Sequence, residues 1–366
     1  AMARAYRQLF QMPLVGITGS VGKTTTKELL GLMLKGRLKS YTSPGNFNNE
    51  IGLPLSLLNM PLGTHVGVFE IGTQRPGELG PLANILGPSI SVITTVTDAH
   101  LGHFASEEQL VNEKWALVDA LPLAGGIVVL NADHTQLWSR ATHQRFRVDF
   151  GIRRQAATFH ASEIEDRGLD GVAFTLVCPQ GRLRLHSKLL GLHNVYNVLA
   201  AAAVAAEMRV GLPAIQQAVE QMSPYPHRLQ WRRCKLGVLV DDSYNASPSA
   251  VKAALETIAK IESHHKVFVF GDMLEQGQNT LAVHQEAARW ITDAKVQTVF
   301  TVGNLAAETG RTLQRQLGWS SARVKSANTL DELEAHLRHT LTANDHLILV
   351  KGSRALALER LVDHLE

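Results

Sequence analysis

Gly16-Ile17-Thr18-Gly19-Ser20-Val21-Gly22-Lys23-Thr24-Thr25-Thr26-Lys27 lies between two stretches of different character. Ahead of it, Pro13-Leu14-Val15 reads as part of a buried strand. Behind it, Glu28-Leu29-Leu30-Gly31-Leu32-Met33-Leu34 reads as a helix. A strand, a glycine-rich turn ending in Gly-Lys-Thr and a helix form the context that holds phosphates. Backbone N–H groups wrap the anion and the helix N-terminus adds partial positive charge. Lys23 reaches the outer phosphates, and the Thr24 hydroxyl can ligate Mg²⁺. The common form of this loop has Gly six positions before the lysine. Ile17 holds that place, bracketed by Gly16 and Gly19, so the loop is a variant. An ordinary βα turn would leave Gly-Lys-Thr at the helix start unexplained.

Outward from the loop, strand-like runs alternate with helical patterns. Val66–Glu70, Ile90–Thr94 and Ile127–Leu130 read as strands; Gly77–Leu86, Glu107–Ala120 and Asp133–Arg140 read as helices. This alternation predicts a mostly parallel sheet with helices on both faces. From about Ala157 to Leu190 the period changes to two, with turns at Asp170-Gly171 and Gln180-Gly181, which predicts a small antiparallel section. An alanine-rich helix follows from His193 to about Met208, then a shorter one over Pro213–Gln221. Ser223-Pro224-Tyr225-Pro226 has the composition of a linker. Beyond it the alternation restarts. Strands are expected at Val238–Val240, Val267–Phe270, Val299–Val302 and Leu347–Val350. Helices are expected at Ser249–Ala259, Leu281–Ile291, Ala306–Leu317, Leu330–Leu341 and Ala355–Leu365. The fold class is therefore α/β, in two domains. Residues 1–222 form a P-loop-type central domain, and residues 223–366 form a Rossmann-like α/β domain.

Composition narrows the function. A formal net charge of +3 over 366 residues, with no basic block, gives no support for nucleic acid binding. Cys178 and Cys234 match no metal or redox spacing, which suits a reducing cytoplasm. No apolar stretch is long enough to span a membrane.

Several constellations carry chemistry. Glu70 ends an apolar strand, where open α/β sheets place ligand-binding groups, and a carboxylate there can hold Mg²⁺ beside the phosphate loop. Asp98-Ala99-His100-Leu101-Gly102-His103 follows the next strand, so His100 can face a metal or a phosphate. Lys114, inside a predicted helix, reads on its own as a surface lysine. Gly45-Asn46-Phe47-Asn48-Asn49-Glu50-Ile51-Gly52-Leu53-Pro54 is either a ligand loop or a turn leading to a helix at Pro54. In the second domain, Asp241-Asp242-Ser243-Tyr244-Asn245-Ala246 leads to Ser247, a fitting N-cap, and Pro248 at the first helical position. Gly271-Asp272-Met273 and Lys351-Gly352-Ser353-Arg354 end other strands, and three polar strand ends in one sheet suggest a cleft.

Taken together, these stretches resemble the Mur ligase family, the ATP-dependent amide-bond-forming enzymes of peptidoglycan synthesis. Gly191-Leu192-His193-Asn194-Val195-Tyr196-Asn197 and His227-Arg228-Leu229 belong to the same pattern, which runs from Val15 to the C-terminus. Asp241–Ala246 and Lys351–Arg354 are most similar to the branch that adds D-alanyl-D-alanine to a UDP-linked muramoyl tripeptide. The resemblance implies that Lys23 and the loop residues Gly19, Ser20, Val21, Gly22, Thr24 and Thr25 bind the phosphates of ATP. It implies one Mg²⁺ on Thr24 and Glu70. A second would sit on His100 and on Lys114 carbamylated by CO₂. Asn194 and Asn197 match adenine-contacting residues, Arg228 would reach phosphate, and Asp242 the ribose. Asn46, Asn48, Asn49, Ser243, Tyr244, Asn245, Lys351, Ser353 and Arg354 are the substrate candidates. Lys23, Glu70, His100 and Lys114 are the expected catalytic set.

The implied reaction is carboxylate–amine ligation through an acyl phosphate, by a cytoplasmic monomer whose partners are a carboxylate acceptor and an amine donor. Two readings compete with it: a specialised ligase joining smaller substrates, and a P-loop ATPase or kinase that forms no amide. Thr95 departs from the family, which usually has Asn there. The branch that adds D-alanyl-D-alanine also carries an N-terminal domain that binds uridine diphosphate, for which the early phosphate loop is expected to leave no room.

Overall fold

The computed structural model describes residues 2–97, 101–144 and 146–365. Among the described residues the first sheet contains β1 (Leu14–Thr18), β2 (Ser40–Thr42), β3 (Val66–Glu70), β4 (Ile90–Ile93), β5 (Ile127–Asn131), β6 (Arg147–Gly151), β7 (Phe159–Asp166), β8 (Val172–Cys178) and β9 (Gly181–Ser187). Their spatial order is β2-β3-β1-β4-β5-β6-β7-β8-β9. Every residue of β1, β3 and β4 is buried. That is why these strands read as continuous apolar runs rather than alternating ones: helices cover a parallel sheet on both faces. β1 lies between β3 and β4, parallel to both, with Ile17 beside Glu70 and Thr18 beside Ile93. The chain thus leaves β1 towards β2 and β3 and comes back to β4 on the other side. Ligands in such sheets bind at the carboxyl ends of the strands beside this reversal. β8 and β9 form the antiparallel section, closing on Cys178 and Gly181, whereas β7 runs parallel to β6. The alanine-rich helix spans His193–Glu207 and is buried along most of its length.

The second unit begins at Pro224 and also takes in two short earlier pieces, Asp166–Gly171 and Leu189–Gly191. Its sheet contains β10 (Gln230–Cys234), β11 (Gly237–Asp241), β12 (His265–Gly271), β13 (Thr298–Val302), β14 (Val324–Ala327) and β15 (His346–Lys351), in the order β10-β11-β15-β12-β13-β14. β10 pairs antiparallel with β11 and the other neighbours are parallel. Among the described residues no helix is long and apolar enough to cross a membrane.

Several expected boundaries move. The helix expected from Ala355 starts at Glu359. A single 3₁₀ turn over Arg354–Leu356 precedes it, and Ala357 breaks the run at φ 49°. The helix expected from Pro54 begins two residues earlier, at Gly52, because the Asn49 side chain accepts from Ile51 N and Gly52 N. Ser247 sits at the N-cap position with Pro248 after it, but its side chain makes no capping bond.

Two buried histidines give the fold a pH dependence. His284 is fully buried; its Nε2 accepts from Met273 N at 3.0 Å, so the proton sits on Nδ1 and donates to Thr280 O at 2.6 Å. Burial pushes its pKa below the ordinary 6.5. His346 is lowered too, by burial and then by the facing His265. A histidine whose folded pKa is depressed contributes stability that is fully present above the unfolded value. That contribution is lost as pH falls below 6.5 towards the folded value. The melting temperature is therefore expected to hold between pH 7 and 8 and to fall below pH 6.5. The slope is up to about 1.4 kcal/mol per pH unit for each histidine. A melting temperature that rises between pH 6.5 and 5.5 would contradict this.

Candidate functional site

The phosphate loop owes its shape to two glycines. Gly19 has φ 142°, and a Cβ there would run into Thr94 Oγ1. Gly22 has φ 86°, and a Cβ there would run into Asn197 Oδ1. Both positions need a residue without a side chain. The loop is tied to the segment after β4: Ser20 N donates to Thr95 O at 2.8 Å, Thr97 N donates to Ser20 Oγ at 3.0 Å, and Thr94 Oγ1 donates to Val21 O at 2.6 Å. Thr95, the departure from the family pattern, thus holds the loop through its main-chain oxygen. Lys23 opens the Lys23–Leu34 helix, and its Nζ donates to Gly19 O at 2.7 Å and to Ser20 O at 3.2 Å.

Thr24 Oγ1 donates to Glu70 Oε2 at 2.8 Å, and Asn48 Nδ2 donates to Glu70 Oε1 at 2.7 Å. Glu70 is almost fully buried at the end of β3. The parallel register that sets Ile17 beside Glu70 is what carries this carboxylate to the helix start. Asn48 therefore orients Glu70, and Asn49 caps a helix; Asn46 is exposed.

Asn194 and Asn197 lie three residues apart on one helix face, and Asn197 Nδ2 donates to Asn194 Oδ1 at 2.8 Å. The same Asn197 oxygen faces Gly22 and accepts from Thr26 Oγ1 at 3.4 Å, so the pair stands against the phosphate loop.

Lys114 is not the surface lysine its helical context suggests. It is 1 % exposed, and it has no hydrogen-bond or ion-pair partner among the described residues. Burial pushes its pKa well below the ordinary lysine value. The nearby Lys23 ammonium adds to the effect, while Glu113 and Glu78 oppose it. The adjacent Glu113 turns to its own task, accepting from Gly77 N at 2.7 Å and Leu79 N at 2.8 Å at the start of the Leu79–Leu86 helix. His100, with Asp98 and Ala99, lies outside the described residues. No cluster of three His, Cys, Asp or Glu suited to a metal occurs among the described residues.

In the second unit the candidates gather at the carboxyl ends of β11, β12 and β15. Asp241 is fully buried. Its Oδ1 accepts from Ser243 N and Ser243 Oγ, at 3.1 and 2.6 Å, and its Oδ2 meets His227 Nδ1 at 2.8 Å. Ser243 thus braces the loop from inside. His227 and Leu229 are both left-handed, at φ 62° and 49°, so Arg228 sits on a strained turn. The Arg228 guanidinium lies 4.1 Å from the centre of the Tyr244 ring. Asp242 Oδ1 accepts from Leu229 N at 3.2 Å and its Oδ2 from Lys351 Nζ at 2.6 Å. Lys351 also donates to Asn245 O at 2.8 Å. A carboxylate has about four acceptor sites, so Asp242 keeps capacity for a ligand. Asn245 is exposed. Ser353 is buried, with its N donating to Asp272 O at 3.0 Å. Asp272 Oδ1 takes Leu305 N and Ala306 N at the start of the Ala306–Arg315 helix. Arg354 pairs with Glu359 at 2.9 Å.

Family models match both parts of the chain. The Mur ligase middle domain matches residues 17–205, and the Mur ligase glutamate ligase domain matches residues 227–354. The UDP-N-acetylmuramoyl-tripeptide–D-alanyl-D-alanine ligase of Treponema pallidum is 36% identical, over 95% of this chain and 73% of its own length. The crystal structure of MurF from Acinetobacter baumannii superposes with a TM-score of 0.90 at 28% identity, covering 99% of this chain and 78% of that one. The MurF ligase of Thermotoga maritima, solved in complex with ADP, gives a TM-score of 0.87 at 25% identity, covering 100% of this chain and 82% of its own.

Proposed function

The chain belongs to the Mur ligase family, and from that premise we propose that it is an ATP-dependent ligase adding D-alanyl-D-alanine to a UDP-N-acetylmuramoyl tripeptide. The observation that carries the proposal is the Thr24 hydroxyl bonded to the Glu70 carboxylate at the mouth of the phosphate loop, with Lys114 buried nearby. Thr24 and Glu70 are hard oxygen donors and fit Mg²⁺. Lys114, were CO₂ to convert its amine to a carbamate, would hold a second ion, with His100, which lies outside the described residues, as the expected co-ligand. When bound, Mg²⁺ neutralises charge on the phosphates.

The chain's own groups do the rest. The loop amides and Lys23 hold the β- and γ-phosphates, and the hydrogen-bonded pair Asn194 and Asn197 contacts the adenine. The tripeptide carboxylate attacks the γ-phosphorus, giving an acyl phosphate and ADP. The amine of D-alanyl-D-alanine then attacks the acyl carbon, releasing phosphate and a proton. The first step is phosphoryl transfer, in which positioning and charge neutralisation dominate. In the second unit we assign Arg228 to phosphate oxygens and Asp242 to ribose hydroxyls. Asn46, Tyr244, Asn245, Lys351, Ser353 and Arg354 are the remaining substrate candidates. We place the reaction in the cytoplasm, where ATP is supplied.

The test is a product balance. Over many turnovers ADP, phosphate and new amide should form in equal amounts, and sustained turnover should require both the UDP-linked tripeptide and D-alanyl-D-alanine. ADP formation at one rate with and without the amine, with no amide, would favour a simple ATPase instead.

A further inference from the structure

Lys27 is fully buried, a costly place for a charge. Its Nζ donates to Ser43 O at 2.6 Å and to Gly45 O at 2.9 Å, and pairs with Glu28 at 3.0 Å. The two carbonyls begin a short loop, and both ends of that loop grip one residue. At its start, Ser43 Oγ accepts from Glu70 N at 3.2 Å, while Ser43 N donates to Val68 O at 2.9 Å. At its end, Asn48 Nδ2 donates to Glu70 Oε1 at 2.7 Å, and Asn48 O accepts from Gly72 N at 2.8 Å. Lys27 stands one helical turn beyond Lys23 and Thr24, on the helix that supplies the Thr24–Glu70 bond.

We propose that Lys27 is a positioning residue: by clamping the loop of residues 43–48 it holds the Glu70 carboxylate in the orientation that receives Mg²⁺. The inference rests on the nucleotide-binding reading above. A methionine would fill the same space without burying a charge, so packing alone does not account for an ammonium here. What the ammonium adds is a fixed anchor for two backbone carbonyls. The carboxylate thereby becomes rigid with respect to the phosphate loop. Partners of this indirect kind typically change metal affinity by about 10–100-fold when removed.

The experiment is calorimetric titration of the whole chain with ADP, with and without Mg²⁺. For Lys27→Met, the Mg²⁺-free ADP affinity should stay within about twofold, and the gain in affinity from Mg²⁺ should shrink by about tenfold or more. Asn48→Ala should shrink it too, and the double variant should lose little beyond the larger single loss, because both act through one loop. A folded Lys27→Met with the full Mg²⁺ gain, or strictly additive losses, would overturn the proposal. If Lys27→Met fails to fold, Lys27→Gln, which keeps a donor for one carbonyl, supports or overturns it by the same comparison. Wild-type chain that binds no ADP would instead overturn the nucleotide reading, and this proposal with it.

Discussion

Lys23→Ala is expected to lower ADP-forming turnover by at least about 10²–10³-fold while the chain still folds. Removal of a single preorganised group that stabilises developing oxyanion charge has about that cost. The Lys23 ammonium is the cation that the loop presents at the helix start, at 2.7 Å from Gly19 O and 3.2 Å from Ser20 O. The structural loss includes these two hydrogen bonds to loop carbonyls, each worth about 1–3 kcal/mol. In a domain of this size each kcal/mol shifts the melting temperature by about 2–4 °C. The two readouts therefore separate: turnover falls by orders of magnitude while melting moves by several degrees. Near-normal turnover in the variant would remove Lys23 from the site, and loss of folding would show that its contacts to the loop matter more than the geometry implies.

The parts legible in the sequence were those with local causes. Glycines at 19 and 22 announce a turn that excludes side chains, and the structure shows what they make room for: Thr94 and Asn197. The continuous apolar run Val66–Phe69 announces a strand buried on both faces. What escaped has non-local causes. β10 carries Arg232 and Arg233, and β2 has three residues; neither has a pattern of its own, and both exist because a neighbouring strand is there to pair with. β6 and β14 likewise carry no pattern of their own and form by pairing with β5 and β13. The role of Asn48 could not be read from its turn-like surroundings, because its partner Glu70 is 22 residues away. Lys27, four places past Lys23, has the look of an exposed helical lysine until the loop at Ser43 is seen to cover it. Helical periodicity also failed at Glu113 and Lys114, two adjacent charges that are both buried. Only the resemblance to a family singled out Lys114.

Lys114 supports the second large prediction. A buried ammonium with no ion-pair partner among the described residues, and with Lys23 as a like-charged neighbour, is unfavourable twice over. Near a triphosphate and Mg²⁺ it would also repel the metal. Burial already favours the neutral amine, and a neutral amine adds CO₂ to give a carbamate and a proton. The adduct is anionic and supplies oxygen ligands, which Mg²⁺ prefers. Lys114→Ala should therefore cost about 10–100-fold or more in turnover, with part recovered when a small carboxylate such as acetate fills the vacated place. Lys114→Arg should lose activity as well, since a guanidinium keeps positive charge and cannot take up CO₂. Stability should move the other way. Lys114→Met removes a buried amine that has no ion-pair partner among the described residues and fills the space, so its melting temperature should match or exceed that of the wild type. Labelling with carbon-13 bicarbonate gives a readout independent of turnover: a carbamate signal in the wild type in the presence of ADP and Mg²⁺, absent from Lys114→Met. A fully active Lys114→Arg, or no carbamate signal under those conditions, would end the carbamate assignment and leave Lys114 as an unmodified amine in the site.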